Sequence, residues 1–271
     1  MPSSTQRQRW LAYLYPDTVV THPDGTIDGT LRNLLDEHDD NRLTAAEYTL
    51  TFNRATELAH NPDLIAPTLD DAEVRAVHHH LFQDIYPWAG QYRTVNMGKE
   101  ASLFATAPDG ITRALAAMTR HNIRVPWARL DRDDTITCTA WTIALLNYAH
   151  PFREGNGRTT KAFIDRILIP TRYQVNWASI DPDTWNRASQ DAMPQPGTTR
   201  PRPQVLAVVL THALQHRPTT VADAALERAR HIYQMLQPPS QATTQTPSST
   251  SQSTPPPAPE PHQTRYQRPR L

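Results

Sequence analysis

Apolar side chains recur at helical spacing along most of the first 236 residues. Over 31–60 they fall at Leu34, Leu35, Leu43, Ala46, Tyr48, Leu50, Ala55 and Leu58, with a break expected near Asn41. Val74, Val77, Leu81 and Ile85 predict a helix over 69–85, and Ile111, Leu115 and Met118 one over 109–122. Asp133 and Asp134 read as N-terminal capping residues for a helix through Ile136, Ala140, Ile143, Ala144 and Tyr148. Further helices fit 157–168 (stopped by Pro170), 182–192, 203–216 and 219–236. One strand pair is expected. Residues 92–96 alternate well enough to pair with 102–105 across a turn around Gly98. The pattern gives an all-α fold with one small β-hairpin and no internal repeat.

The pattern stops at Pro238. From there to Leu271, nine of the residues are proline, and Ser, Thr and Gln fill most of the rest. Such a segment cannot bury enough apolar surface to offset its ordering entropy, so 238–271 is expected to be a disordered tail. Pro255, Pro256 and Pro257 can hold an extended polyproline helix, and Arg265, Arg268 and Arg270 follow. The division expected is 1–19 as an N-terminal extension, 20–215 as the main domain, 216–237 as a C-terminal helix, then the tail.

Composition excludes several classes. Lys plus Arg and Asp plus Glu are 27 each, so the formal net charge is zero. A balanced chain without an aromatic and basic stripe does not read as a nucleic-acid binder. Cys138 is the only cysteine, which rules out an internal disulfide and a multi-cysteine zinc site. No apolar run is long enough to span a membrane, and residues 1–13 are too polar for a signal peptide. Cytoplasmic action is expected, with secretion into a target cell as the alternative.

Chemistry concentrates in His150-Pro151-Phe152-Arg153-Glu154-Gly155-Asn156-Gly157-Arg158, between two predicted helices. Glycines at a helix start let backbone N–H groups approach an anion, and the helix dipole favours phosphate there. Arg158, in the first turn, offers a planar fork for phosphate oxygens. Glu154 is too little for a protein-only metal cage but suits Mg²⁺, which takes one or two carboxylates plus phosphates and water. His150 can act as a general base, although the C-terminal dipole of the helix before it favours its protonated form. A plain helix–helix turn explains the glycines and Asn156 but not the histidine, carboxylate and arginine beside them.

This stretch resembles the signature of the Fic family, H-P-F-x-[D/E]-G-N-[G/K]-R, at every fixed position. Ile85-Tyr86-Pro87-Trp88-Ala89-Gly90 and Tyr92-Arg93-Thr94-Val95-Asn96 are similar to the segment leading into the family's flap hairpin. Gly29-Thr30-Leu31-Arg32-Asn33 resembles the start of its helical domain. The resemblance implies a Fic-type helical bundle and transfer of AMP from ATP to a Tyr, Thr or Ser hydroxyl of a target protein. It makes His150 the base, Glu154 the Mg²⁺ ligand, Gly155, Asn156 and Gly157 the anion hole, and Arg158 the partner of the β/γ end. Phe152 would anchor the loop, and Arg153, at the variable position, receives no role. Lys161 stands where many members carry a second arginine and would keep the charge without the fork. Gly157, in place of the lysine of the Doc-like branch that phosphorylates its target, argues for AMP transfer. Met97, Gly98, Lys99 and Glu100 would lie at the tip of a flap that docks the target as an added strand.

Many Fic proteins carry an inhibitory helix of pattern [S/T]-x-x-x-E-[G/N]. Of the eight glutamates here only Glu154, the site residue itself, precedes Gly or Asn. A chain without that motif resembles the class restrained by a separate small antitoxin, so a toxin with a protein partner is expected. An unrestrained secreted effector and a catalytically silent interaction module are the alternatives. Consecutive helical positions point three ways, so His78, His79 and His80 cannot share one metal and read as one core and two surface residues. Asn186 and Gln190 read as solvated, Trp88 and Trp185 as core residues, and Cys138 as a packing residue.

Overall fold

A computed structural model describes residues 4–99 and 102–218, together with Ala229 and Ile232. Its elements are α1 (Ser4–Leu11), β1 (Val20–Thr21), β2 (Ile27–Asp28), α2 (Asp40–His60), α3 (Asp71–Phe82), β3 (Gly98–Lys99) and β4 (Ser102–Leu103). There follow α4 (Asp109–Arg124), α5 (Arg132–Ala149), α6 (Asn156–Ile167), β5 (Tyr173–Val175), α7 (Pro182–Asp191), α8 (Gln204–Ala213) and β6 (Leu214–His216). The fold is mostly helical, as the periodicity implies.

Helix α5 is the centre. It packs against α4, α6 and α8, while α6 also packs on α3, and α3 on α2. Most of its residues are buried, from Ile136 and Ala140 to Leu145, Leu146 and Ala149. Aspartates start four of the helices, each side chain accepting a backbone N–H of the first turn: Asp39 from Arg42, Asp70 from Glu73, Asp131 from Asp134 and Asp181 from Thr184. The cap of α5 is therefore Asp131. Asp133 and Asp134, read as caps, sit inside the first turn, where their charge still complements the dipole.

Several local expectations are corrected. Residues 31–39 are not helical. Asn33 donates to the carbonyls of Leu31 and Glu37 and accepts from the N–H groups of Leu35 and Glu37, which holds an irregular loop up to the Asp39 cap. The expected hairpin over 92–105 pairs only Gly98 with Leu103 and Lys99 with Ser102, so Gly98 lies in a strand and not in the turn. Two further strand pairs appear. β1–β2 closes around Pro23-Asp24-Gly25, with Asp24 accepting from the Thr26 N–H and Gly25 at φ +83°. β5 pairs with β6 across the domain, which ends α8 at Ala213, short of the predicted 216.

Residues 4–19, read as an extension, reach the core. Trp10 and Leu14 are buried, and Leu14 bridges to Leu31. The expected tail at 238–271 lies outside the described residues, as does the helix at 219–236 apart from the helical Ala229 and the helical, buried Ile232.

Candidate active site

The site forms where α5 ends and α6 begins. His150 terminates α5 in the left-handed region, φ 38° and ψ 59°, and its N–H closes on the carbonyl of Leu146. That conformation turns the chain sharply out of the helix. The imidazole stacks on Phe104 with centroids 3.7 Å apart and planes 9° apart. Phe104 follows β4, so the flap root is already against the expected base.

From His150 the chain runs through a buried loop. Phe152 is fully buried and stacks on His78 at 3.7 Å. His78 accepts from the Gly90 N–H at 2.8 Å, which leaves its Nε2–H to donate to the Glu154 carbonyl at 3.1 Å. Burial pushes its pKa down to about 3, so it is a neutral strut. His79 and His80 point to other carbonyls, those of Ala89 and Arg54, and no cluster of His, Cys, Asp or Glu among the described residues is placed to hold a metal by itself. Arg153 is also buried, its guanidinium 4.1 Å from the ring centroid of Trp10 and 5.9 Å from that of Tyr13. The variable motif position thus locks the loop to the N-terminal segment.

The two glycines differ. Gly155 has φ +82°, and a Cβ there would collide with the ring of Phe82. Gly157 is helical, and a Cβ there would meet nothing within 4 Å. Packing explains the first glycine and leaves the second unexplained; open space lies before it. Asn156, expected in the anion hole, spends its side chain elsewhere. Its Oδ1 accepts from the Phe152 N–H and its Nδ2 donates to the Phe152 carbonyl, both at 2.9 Å. Only its backbone remains for a ligand. The N–H groups of Asn156, Gly157 and Arg158 begin α6 before its hydrogen-bond ladder does, which opens with Thr159 on Gly155.

Glu154 is 5 % exposed. Its Oε1 accepts from the Gly155 N–H at 2.9 Å and lies 3.6 Å from Arg158, while its Oε2 is buried with no hydrogen-bond partner among the described residues. A buried carboxylate oxygen left without a donor is costly. It fits a cation whose other ligands come from phosphates and water.

Arg158 is not an open guanidinium. It pairs with Glu47 of α2, reaches Thr51 at 3.4 Å and rests on the rings of Phe82 and Tyr48. Glu47 in turn accepts from the Tyr86 hydroxyl. Burial works against the Arg158 charge, but Glu47 and Glu154 outweigh it and hold the pKa above the ordinary arginine value. Glu47 lies outside the inhibitory pattern because Tyr48, and not Gly or Asn, follows it. Lys161, one turn further, lies 5.6 Å from the Trp177 ring centroid, and burial lowers its pKa despite Asp165.

The flap residues divide. Met97 is buried, its carbonyl accepting from Phe104, so it belongs to the root and not the tip. Gly98 and Lys99 form β3, and Glu100 lies outside the described residues. Arg93, in the segment leading into the flap, is fully buried and donates to the carbonyls of Val95 and Ala105.

The model of the Fic/DOC family matches residues 68–168, which span α3 to α6 and the loop between. Among curated proteins, the probable protein adenylyltransferase y4lH of Sinorhizobium fredii is 35% identical over 154 residues, 56% of this chain and 77% of that protein. The protein adenylyltransferase VbhT of Bartonella schoenbuchensis is 32% identical over 59% of this chain but only 33% of its own length. Among solved structures, the BepC effector of Bartonella tribocorum with bound AMPPNP superposes with a TM-score of 0.59 at 22% identity, covering 77% of this chain and 98% of that one. An N-terminal Fic domain from Bartonella quintana with bound ADP gives 0.61 at 21%, covering 76% and 95%. These likenesses establish the fold.

Proposed function

The chain belongs to the Fic/DOC family and is an adenylylating nucleotidyltransferase, and from that premise we propose how its site works. ATP places its phosphates over the start of α6, against the backbone N–H groups of residues 156–158 and in the space before Gly157. A hydroxyl of a protein target, laid along the flap, attacks the α-phosphorus. His150 takes the hydroxyl proton. The new O–P bond forms as the bond to the β-phosphate bridge breaks, and pyrophosphate leaves with its electron pair. Arg158 offers a positive charge at the β/γ end that Glu47 partly balances. Glu154 would hold Mg²⁺, which supplies neutralisation of phosphate charge when bound.

The observation that supports this reading best is the buried, unpartnered Oε2 of Glu154 beside the three open N–H groups. A carboxylate and an anion site would repel one another unless a cation joins them. The test uses α-labelled ATP, Mg²⁺ and a bacterial lysate with wild type and His150→Ala. A labelled protein band present only with wild type is the expected result; a phosphate-sized adduct on the target would instead make the chain a kinase.

The restraint is proposed to come from a separate small protein that supplies an inhibitory glutamate, since the eight glutamates of the chain hold no such motif. Expression of the wild type alone should arrest growth and His150→Ala should not. If both are harmless, the toxin reading fails while the transfer reaction stands. No helix of the described residues is long and apolar enough to cross a membrane.

A further inference from the structure

Arg93 is 1 % exposed, and its side chain donates to four backbone carbonyls. Nε donates to His150 at 2.8 Å. Nη1 donates to Val95 at 2.6 Å. Nη2 donates to Ala105 at 2.5 Å and to Ala149 at 3.3 Å. Its own N–H donates to the Pro151 carbonyl at 2.8 Å. Val95 and Ala105 are the two roots of the flap. Ala149 and His150 are the end of α5. We infer that Arg93 is a positioning residue that joins the target-docking flap to the backbone of His150, so that the two move as one unit.

Three further features agree. The end of α5 has carbonyls without helical partners, and a guanidinium is the side chain that can fork across several of them. The left-handed backbone of His150 needs support from its surroundings, and a bond to its carbonyl supplies it. The Ala105 N–H donates to Tyr148 and the Phe104 ring stacks on His150, so the flap meets α5 on both sides of the arginine. Burial pushes the pKa of Arg93 down to about 10, and among the described residues it forms no ion pair. A cation kept in such a place without a carboxylate is held by the geometry of its acceptors. A lysine could reach one or two of these carbonyls but not all four.

The link itself is independent of the proposed reaction; only its catalytic consequence rests on it. The full-length chain and its Arg93→Met and Arg93→Lys variants are compared by hydrogen exchange at three amides: Ala105 at the flap root, His150 at the end of α5, and Thr159 in α6 as reference. In Arg93→Met the first two should exchange roughly tenfold or more faster together, with Thr159 within about twofold. Arg93→Lys should fall between and carries the test if the methionine variant does not fold. Faster exchange at only one of the two amides, or an equal rise at all three, would overturn the link. In the labelling assay, Arg93→Lys should lose about tenfold in transfer while ATP affinity stays within about twofold. Transfer and affinity falling together would make Arg93 merely structural. A wild type that labels nothing would remove the reaction and leave the exchange result to decide the link.

Discussion

Helix α6 carries an arginine near each end, Arg166 buried and Arg158 partly buried, and each faces a buried glutamate from another helix. At the far end Arg166 meets Glu73 at 2.6 Å and spends its remaining donors on the carbonyls of Pro62 and Ile65 at 2.8 and 2.7 Å. The second oxygen of Glu73 accepts from the Leu69 N–H. Each side-chain nitrogen of Arg166 and each carboxylate oxygen of Glu73 has a partner. At the near end Arg158 is shared between Glu47 and Glu154, one oxygen of Glu154 has no donor among the described residues, and the backbone N–H groups beside it lack helical acceptors. The residue types are alike, and both glutamates are buried. What separates a structural pair from a candidate reacting one is the bonding capacity left over.

The largest effect should come from breaking the satisfied end. Arg166→Met leaves Glu73 buried and uncompensated, so stability should fall by about 3–5 kcal/mol in denaturant titration. Labelling per folded molecule should hardly change. A large loss of turnover at an unchanged midpoint would mean that the two ends are not divided as described.

The glycines sharpen the same contrast within one turn. Gly155→Ala puts a Cβ into Phe82 at a positive φ, and should cost about 2 kcal/mol or more. Gly157→Val meets no atom within 4 Å, so its stability should stay within about 0.5 kcal/mol of wild type. Its nucleotide affinity should nonetheless fall about tenfold, which is about 1.4 kcal/mol, because the side chain enters the proposed phosphate space. Unchanged affinity would move the phosphates elsewhere.

Glu47→Gln acts on the charge balance of the open end. The glutamine still accepts from Tyr86, but the pair with Arg158 loses its anion. The phosphate end becomes more positive, and ATP should bind about fivefold tighter, roughly 1 kcal/mol. Weaker binding would instead make Glu47 a partner that aims Arg158.

The contrast also marks where sequence reading reached and where it stopped. The helices that pack by a periodic apolar stripe were legible, and so was the loop 150–158, whose chemistry sits within nine residues. Glu73 and Arg166 stand 93 positions apart, and Glu47 and Arg158 111 apart, so no local pattern joins them. The pairing of β5 with β6 is equally non-local. Arg93 stood only as part of the segment leading into the flap and Arg153 had no role, because nothing local marks a buried charge; only the tertiary fold surrounds one with carbonyls and stacks the other on Trp10. Asn156 was expected in the anion hole; its backbone is there, but the loop uses its side chain to close upon itself.

His78 lies under the open end and gives the smallest effect near neutral pH. Its ring is neutral in the folded protein because burial opposes the charge, with Arg158 adding a lesser push in the same direction. The folded pKa is near 3 against 6.5 when exposed, so the unfolded chain binds a proton that the folded one refuses. Stability from this group is therefore fully present above about pH 6.5 and is lost as the pH falls toward 3. Between pH 7.5 and 6 the loss should be about 0.8 kcal/mol, and it should steepen toward about 1.4 kcal/mol per pH unit below that. His80 is also lowered by burial and titrates in the same direction, so the comparison is with His78→Gln, which removes one group and leaves the other. The difference between the two denaturation curves should close as the pH falls from 7.5 to 5. Parallel curves would mean that His78 takes up its proton in the folded protein. The ring would then add a second positive charge beside Arg158, and the contrast between the two ends of α6 would rest on charge as well as on unused bonds.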